Sequence, residues 1–235
     1  MFKQTTIVVL LCLASISVSS AQGIKESPFI AFPKPYESGM MHYSVGAALT
    51  LLPRQIVEEE IRQLPMVTVA LRYGLPENFS VTAQLSTVYI TNVVSAGAQW
   101  SMQTGNAAFA LADEFSYWFG VADMDGFDTK AMGLINRPSI SAGIQIDDDK
   151  VTVRSELLVM ISQHTYFGSA SVGRVKPEIV GVVTSLCLEQ EILKSTSMSF
   201  ALRANYALPN YQLWLAFSVQ DRWLMYPEIQ LSFLF

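Results

Sequence analysis

The stretch Ser197-Met198-Ser199-Phe200-Ala201-Leu202-Arg203-Ala204-Asn205-Tyr206 decides the fold. Met198, Phe200, Leu202, Ala204 and Tyr206 occupy one set of alternate positions; Ser197, Ser199, Ala201, Arg203 and Asn205 occupy the other. Successive side chains of an extended chain point to opposite faces, so this is a strand with one apolar face and one largely polar face. The pattern recurs downstream. Tyr211, Leu213, Leu215, Phe217 and Val219 oppose Gln212, Trp214, Ala216, Ser218 and Gln220, and Ile229, Leu231, Phe233 and Phe235 oppose Glu228, Gln230, Ser232 and Leu234.

Upstream segments conform. Val67, Val69, Leu71 and Tyr73 alternate with Thr68, Ala70 and Arg72; Phe79, Val81, Ala83 and Leu85 with Ser80, Thr82, Gln84 and Ser86. Ile140, Ala142, Ile144 and Ile146 alternate with Ser139, Ser141, Gly143 and Gln145, and Val151, Val153, Leu157, Val159 and Ile161 oppose Thr152, Arg154, Glu156 and Ser162. One segment carries a misfit: the apolar row Phe109, Leu111, Phe115, Tyr117, Phe119 also contains Asp113, and a bulge near Ala112–Glu114 would restore the register and turn Glu114 inward.

The composition agrees with strands that are apolar outside. Hydrophobic residues make up 51% and charged residues 15% of the chain, and the mean hydropathy is +0.32, against a charge content of about 25% in soluble domains. No apolar run beyond the N-terminus approaches the ~20 residues of a spanning helix. A soluble β-sandwich needs a polar face on each sheet, which these apolar rows do not supply. The expected fold is therefore all-β, a single closed antiparallel transmembrane β-barrel with short loops, apolar side chains toward lipid and the rest toward the interior.

Turn signals at Gly74-Leu75-Pro76-Glu77-Asn78, Thr104-Gly105-Asn106, Asp147–Lys150 and Ala207-Leu208-Pro209-Asn210 separate about twelve strands, with ten as the nearest alternative count. These lie near 40–51, 65–74, 78–91, 93–103, 106–119, 130–146, 151–163, 166–175, 178–188, 195–206, 211–220 and 226–235. That count puts both Leu-Pro turns at the end of the barrel where the chain finishes. Connections are expected at 53–63, where Ile56, Val57 and Ile61 have helical spacing, and at 121–129, 164–165, 189–194 and 221–225.

At the N-terminus, Lys3 precedes the apolar run Ile7–Ala14, and Ser19-Ser20-Ala21 offers small residues for cleavage. Residues 1–21 read as a cleaved signal peptide, and Leu11 before Cys12 disfavours lipidation. Residues 22–39, with Pro28, Pro33 and Pro35 and no period, form an irregular lead-in that could tuck toward the barrel, which itself spans 40–235. Cys187 is then the one mature cysteine and a simple strand residue. A net charge of -5 gives no basic face for nucleic acid.

The last residues, Tyr226-Pro227-Glu228-Ile229-Gln230-Leu231-Ser232-Phe233-Leu234-Phe235, resemble the terminal strand of Gram-negative outer-membrane β-barrel proteins, and the short loops resemble porin-type barrels of Bacteroidota-like bacteria. The resemblance implies export to the bacterial outer membrane, contact with its lipid, and recognition by the barrel assembly machinery through Tyr226, Phe233 and Phe235.

Candidate chemistry is sparse. His42 and Ser44 share a strand face in a pairing similar to outer-membrane phospholipases, but the apolar row Tyr43, Val45, Ala47 and Leu49 sends both inward, away from lipid. No enzyme activity, cofactor or metal is expected, and His164 reads as a loop residue. Arg72, Arg154, Glu156, Arg203 and Glu228 lie on the polar faces, where mixed signs mean either ion pairs filling a narrow lumen or a charge-selecting constriction. Trp100, Trp118, Trp223, Tyr89, Tyr117 and Tyr226 lie near strand ends, as aromatic girdles do. The sequence favours a narrow channel for small polar solutes. A structural or accessory barrel with a filled lumen and an envelope partner is the alternative, and a lipid hydrolase using His42 and Ser44 a distant third.

Overall fold

The computed structural model describes residues 28–51, 65–88, 91–124, 127–167, 170–193, 195–208 and 223–235. The signal peptide, the 53–63 connection, the 211–220 segment and Tyr89 lie outside them. The strands are β1 (Met41–Thr50), β2 (Met66–Gly74), β3 (Phe79–Val88), β4 (Thr91–Thr104), β5 (Ala107–Met124), β6 (Phe127–Asn136), β7 (Ser139–Ile146), β8 (Asp149–Phe167), β9 (Ala170–Arg174), β10 (Glu178–Leu193), β11 (Thr196–Ala207) and β12 (Leu224–Leu234).

These twelve strands form one antiparallel sheet. β1 pairs with β12 as well as β2 (Val45 with Phe233 and with Val69), so the sheet closes on itself. The barrel has ten staves, and the two further strands extend existing ones. β6 and β7 share a stave: β5 pairs Ala112 with Ser139 and Phe115 with Asn136 on one unbroken diagonal. Only Arg137 and Pro138 separate them, and Pro138 has no N–H to give the ladder. Residues 130–146 thus form a single stave, as the alternation predicts. β9 and β10 likewise lie along one edge of β8, divided at Val175-Lys176-Pro177.

The stave count corrects the placement of the Leu-Pro turns. β9 and β10 count once, and β11 pairs directly with β12. The turn after Gly74 therefore lies at the same end as Phe235, and Ala207-Leu208 at the other. Two further expectations fail locally. β8 runs unbroken through Gln163-His164-Thr165, because a skipped residue between Met160 and Ser162 resets the faces and keeps the ladder with β6 intact. The 121–129 connection is the continuation of β5 and β6 to Met124 and Phe127.

The expected bulge in β5 is absent. Its register with β4 is continuous from Trp100↔Leu111 to Gly97↔Glu114, so Glu114 points inward by simple alternation and Asp113 stays outside, exposed among Phe109, Leu111, Phe115 and Tyr117.

The polarity is inverted relative to a soluble fold. Leu111 is 57% exposed and Ile140 61%, while Arg72, Lys150, Glu156, Glu189 and Glu228 are buried. The charged and hydroxyl side chains face the barrel axis. Tight hairpins close the Phe235 end: Thr104 pairs with Ala107 across Gly105 (φ 58°), and Ile146 with Asp149 across Asp147 (φ 52°).

Candidate functional site: a barrel interior filled in three layers

The first layer, at the Phe235 end, is the lead-in itself. Residues 28–36 dip into the barrel and bury Phe29, Phe32 and Tyr36. Being irregular, the segment has backbone groups that no ladder satisfies, so the wall must supply partners. Glu189 on β10 accepts three successive N–H groups: those of Ile30 (2.8 Å) and Ala31 (2.9 Å) on Oε1, and that of Phe32 (2.8 Å) on Oε2. Arg72 on β2 takes the carbonyls, donating to Ile30 (3.2 Å), Phe32 (2.9 Å) and Lys34 (3.0 Å). It also donates to the hydroxyls of Ser80 and Ser101 and stacks 4.2 Å from the Tyr36 ring. One anion and one cation thus hold the two polarities of a single peptide segment.

The rings pack among themselves and the wall. Phe29 meets Tyr36 edge-on at 4.7 Å, and His42 packs against both, 5.8 and 5.3 Å away. The Phe29 N–H donates to His42 Nδ1 at 3.3 Å. Gly143 gives Phe32 its seat, because a Cβ there would stand 2.7 Å from the ring.

The second layer is a charge network across the middle. Arg137 pairs with Glu114 (3.0 Å) and Glu156 (2.5 Å), Arg154 with Glu156 (3.4 Å), and Arg203 with Glu156 (3.6 Å) and Glu228 (2.8 Å). Thr50 also donates to Glu228. Three guanidinium groups meet three carboxylates, so the layer is neutral, and each charge has the partner that burial demands. Between it and the plug lies a cavity of about 150 Å³, lined by Ile30, Ala31, Ser44, Gln84, Ser185 and Glu189 among others. On the other side, among the described residues, lies a pocket of about 20 Å³ by Thr68, Ser86 and Gln230.

The third layer is apolar. Val93, Trp118, Ile135, Leu158, Met160 and Val183 form a buried cluster within the half of the barrel away from Phe235, and Leu208 packs onto it. Tyr226 is also wholly buried there, with its carbonyl accepting from Asn205 at 3.2 Å.

Of the charges read from the sequence, the network brings together Arg154, Glu156, Arg203 and Glu228, while Arg72 stands apart with the plug. Arg137, the hub, was overlooked, although it shares the parity of Ser139 and Ser141. Glu189 and Lys150 were overlooked because both fall where connections were expected. Trp118 and Tyr226 face inward and belong to no aromatic girdle; Tyr117 and Trp100 do face outward. In the terminal strand Phe233 and Phe235 are on the outer face, whereas Tyr226 is on the inner one. His42 and Ser44 both face the interior, and His164 sits on β8 stacked with Tyr166 at 6.5 Å. Cys187 is buried, 3.2 Å from the Ser199 hydroxyl. Among the described residues no group of three or more His, Cys, Asp or Glu could hold a metal.

No family model matches the chain, and no curated protein matches it. Solved structures with a similar architecture include Neisserial surface protein A (11% identity, 83% of this chain and 94% of that one, TM-score 0.38). The translocator domain of the autotransporter NalP from Neisseria meningitidis is another (10% identity, 83% and 86%, TM-score 0.39). The attachment invasion locus protein Ail of Yersinia pestis is a third (12% identity, 85% and 100%, TM-score 0.33). No helix among the described residues is long and apolar enough to cross a membrane, which leaves open crossing by strands.

Proposed function

We propose that the protein is an integral β-barrel of the bacterial outer membrane whose interior is closed to solutes, and that it serves as a structural or accessory membrane subunit. The membrane reading rests on the outward rows of Leu, Ile, Val and Phe, exposed around the wall of a sheet that closes on itself through β1 and β12. Phe233 and Phe235, exposed at the end of the closing strand, are available to an assembly machinery.

The three successive fillings of the lumen carry the functional reading. A diffusing ion would have to displace the plug, then part guanidinium–carboxylate pairs, then cross an apolar cluster containing Trp118, which is 1% exposed. A selectivity filter must bind weakly enough to release its ion; the Arg137–Glu156–Arg203 network is instead self-satisfied. The narrow channel favoured by the sequence therefore gives way to the accessory barrel. Planar-bilayer recording of the purified protein tests this: no conductance steps are expected at any voltage, and reproducible unitary openings would restore the channel.

A further inference from the structure

Asp113 is an acidic side chain in the wrong place. On β5 its outward neighbours are Phe109 and Leu111 on one side and Phe115, Tyr117 and Phe119 on the other, so it lies inside the apolar row and away from its ends. Its side-chain hydrogen bond among the described residues comes from Asn136 Nδ2, at 2.6 Å. That bond engages one carboxylate oxygen and one amide hydrogen. Among the described residues nothing else engages Oδ2 of Asp113 or the second N–H of Asn136, on a surface that meets hydrocarbon if the membrane reading above holds. Ionisable groups facing lipid are costly and mark function.

The wall around the pair is low. Ala98 faces Asp113 directly across the β4–β5 ladder, Ala96 faces Phe115, and Ala83 faces Ala96 from β3, all three exposed. Pro138 stands opposite Asp113 on the other side, by the continuous register of β5 with β6 and β7. Small side chains let another backbone approach closely in lipid, and a polar group among them holds the contact.

We propose that this face, centred on Asp113 and Asn136, is the interface of a two-fold dimer with a second copy of this chain. Two copies inserted in one membrane share orientation, so their two-fold axis runs along the membrane normal. A surface then mates with itself only if it carries donor and acceptor side by side. The pair does: the spare N–H of each Asn136 reaches the free oxygen of the other Asp113, and four hydrogen bonds close into a ring. A partner of different sequence would need a donor of its own, whereas a second copy already has it. The other outward polar pairs among the described residues, Ser155 with Thr184 (3.4 Å) and Thr87 with Asn92 (2.6 Å), are uncharged.

The test uses the mature protein reconstituted into phospholipid nanodiscs and vesicles. Ala98→Cys, in a Cys187→Ser background, is treated with a thiol–thiol cross-linker of about 15 Å reach, since the two copies of position 98 lie on opposite sides of the two-fold axis and beyond the reach of a direct disulfide. Ile229→Cys on β12, across the barrel, is the control. A cross-linked homodimer through position 98 and none through 229 is expected, with a dimeric mass for the wild type in nanodiscs. Asp113→Leu makes the surface more apolar and so leaves insertion intact; it should give a monomer, and in the Ala98→Cys protein it should lower cross-linking to the Ile229→Cys level. Asp113→Asn keeps hydrogen bonding and should remain a dimer. A monomeric inserted wild type, a dimer that survives Asp113→Leu, or linkage through position 98 to a different protein overturns the proposal while leaving the membrane reading intact. Failure of the wild type to stay with the lipid refutes both.

Discussion

Replacing Glu189 with Gln leaves the shape of the side chain and removes what holds the plug. In the folded protein the carboxylate accepts three backbone N–H groups, from Ile30, Ala31 and Phe32. A hydrogen bond to a charged group contributes about 1.5–3 kcal/mol and one between neutral groups about 0.5–1.5, so each bond weakens by roughly 1 kcal/mol. The three together lose about 3 kcal/mol, and the Phe32 N–H loses more if the new amide nitrogen faces it. At about 1.4 kcal/mol per decade, the undocked population of residues 28–36 should rise somewhat over 100-fold. Hydrogen exchange with mass spectrometry in lipid nanodiscs reads this directly. Peptides covering 28–36 should exchange about two decades faster, while those of β10 around Val183–Cys187 keep their protection, because their amides belong to the ladders with β8 and β11. Unchanged exchange in 28–36 would refute the assignment of Glu189 as the anchor. Equal loss of protection in β10 would refute the separation of plug from wall.

Two other substitutions address the remaining contacts. Gly143→Val should loosen the same segment by a different route, since even a Cβ at this position stands 2.7 Å from the Phe32 ring; faster exchange in residues 28–36 with an unchanged unfolding midpoint is expected, and a protected segment would show that Phe32 has other room. Arg137→Leu leaves Glu114 without its cation and Glu156 with the more distant Arg154 and Arg203. Breaking a buried pair costs about 3–5 kcal/mol, to be read as a lowered urea midpoint in detergent micelles; a midpoint within error of the wild type would show that the layer is solvated.

The outer wall was legible in the sequence because its apolar side chains recur at alternate positions over long stretches. Ser197–Tyr206 shows it in ten residues, and the structure keeps those faces. Strand continuity was harder to read where a single skipped residue resets the parity. At Met160–Ser162 the polar Gln163-His164-Thr165 looked like a loop and is ladder. Trp118 was misread through its position near a strand end, although parity alone places it with Glu114 and Ser116. The plug was the least legible part. Its shape depends on partners at Arg72 and Glu189, 42 and 159 positions from Ile30, and nothing in a Pro-rich segment without period names them. Arg137 lay between, detectable by carrying the alternation of β7 two residues back past Pro138.

The layering makes closure redundant, and that redundancy has a measurable signature. If residues 28–36 were the only barrier, deleting them would leave a polar bore, since the space beneath is a 150 Å³ cavity lined by hydroxyls, amides and charges. Above that cavity, however, Glu156 remains held by Arg137, Arg154 and Arg203, side chains that reach it from two other staves and from its own strand. Beyond them the cluster around Trp118 is apolar apart from the indole N–H, a donor that cannot replace a cation's water. Deletion of 28–36 alone should therefore produce no unitary conductance, and neither should Arg137→Ala or Trp118→Ala alone. Only the triple change should open a path, with the Arg203–Glu228 pair (2.8 Å) as its remaining constriction. Planar-bilayer recordings of the four variants decide the matter. Steady openings from the plug deletion by itself would mean that the upper two layers yield on their own, and the protein would then be a plugged channel.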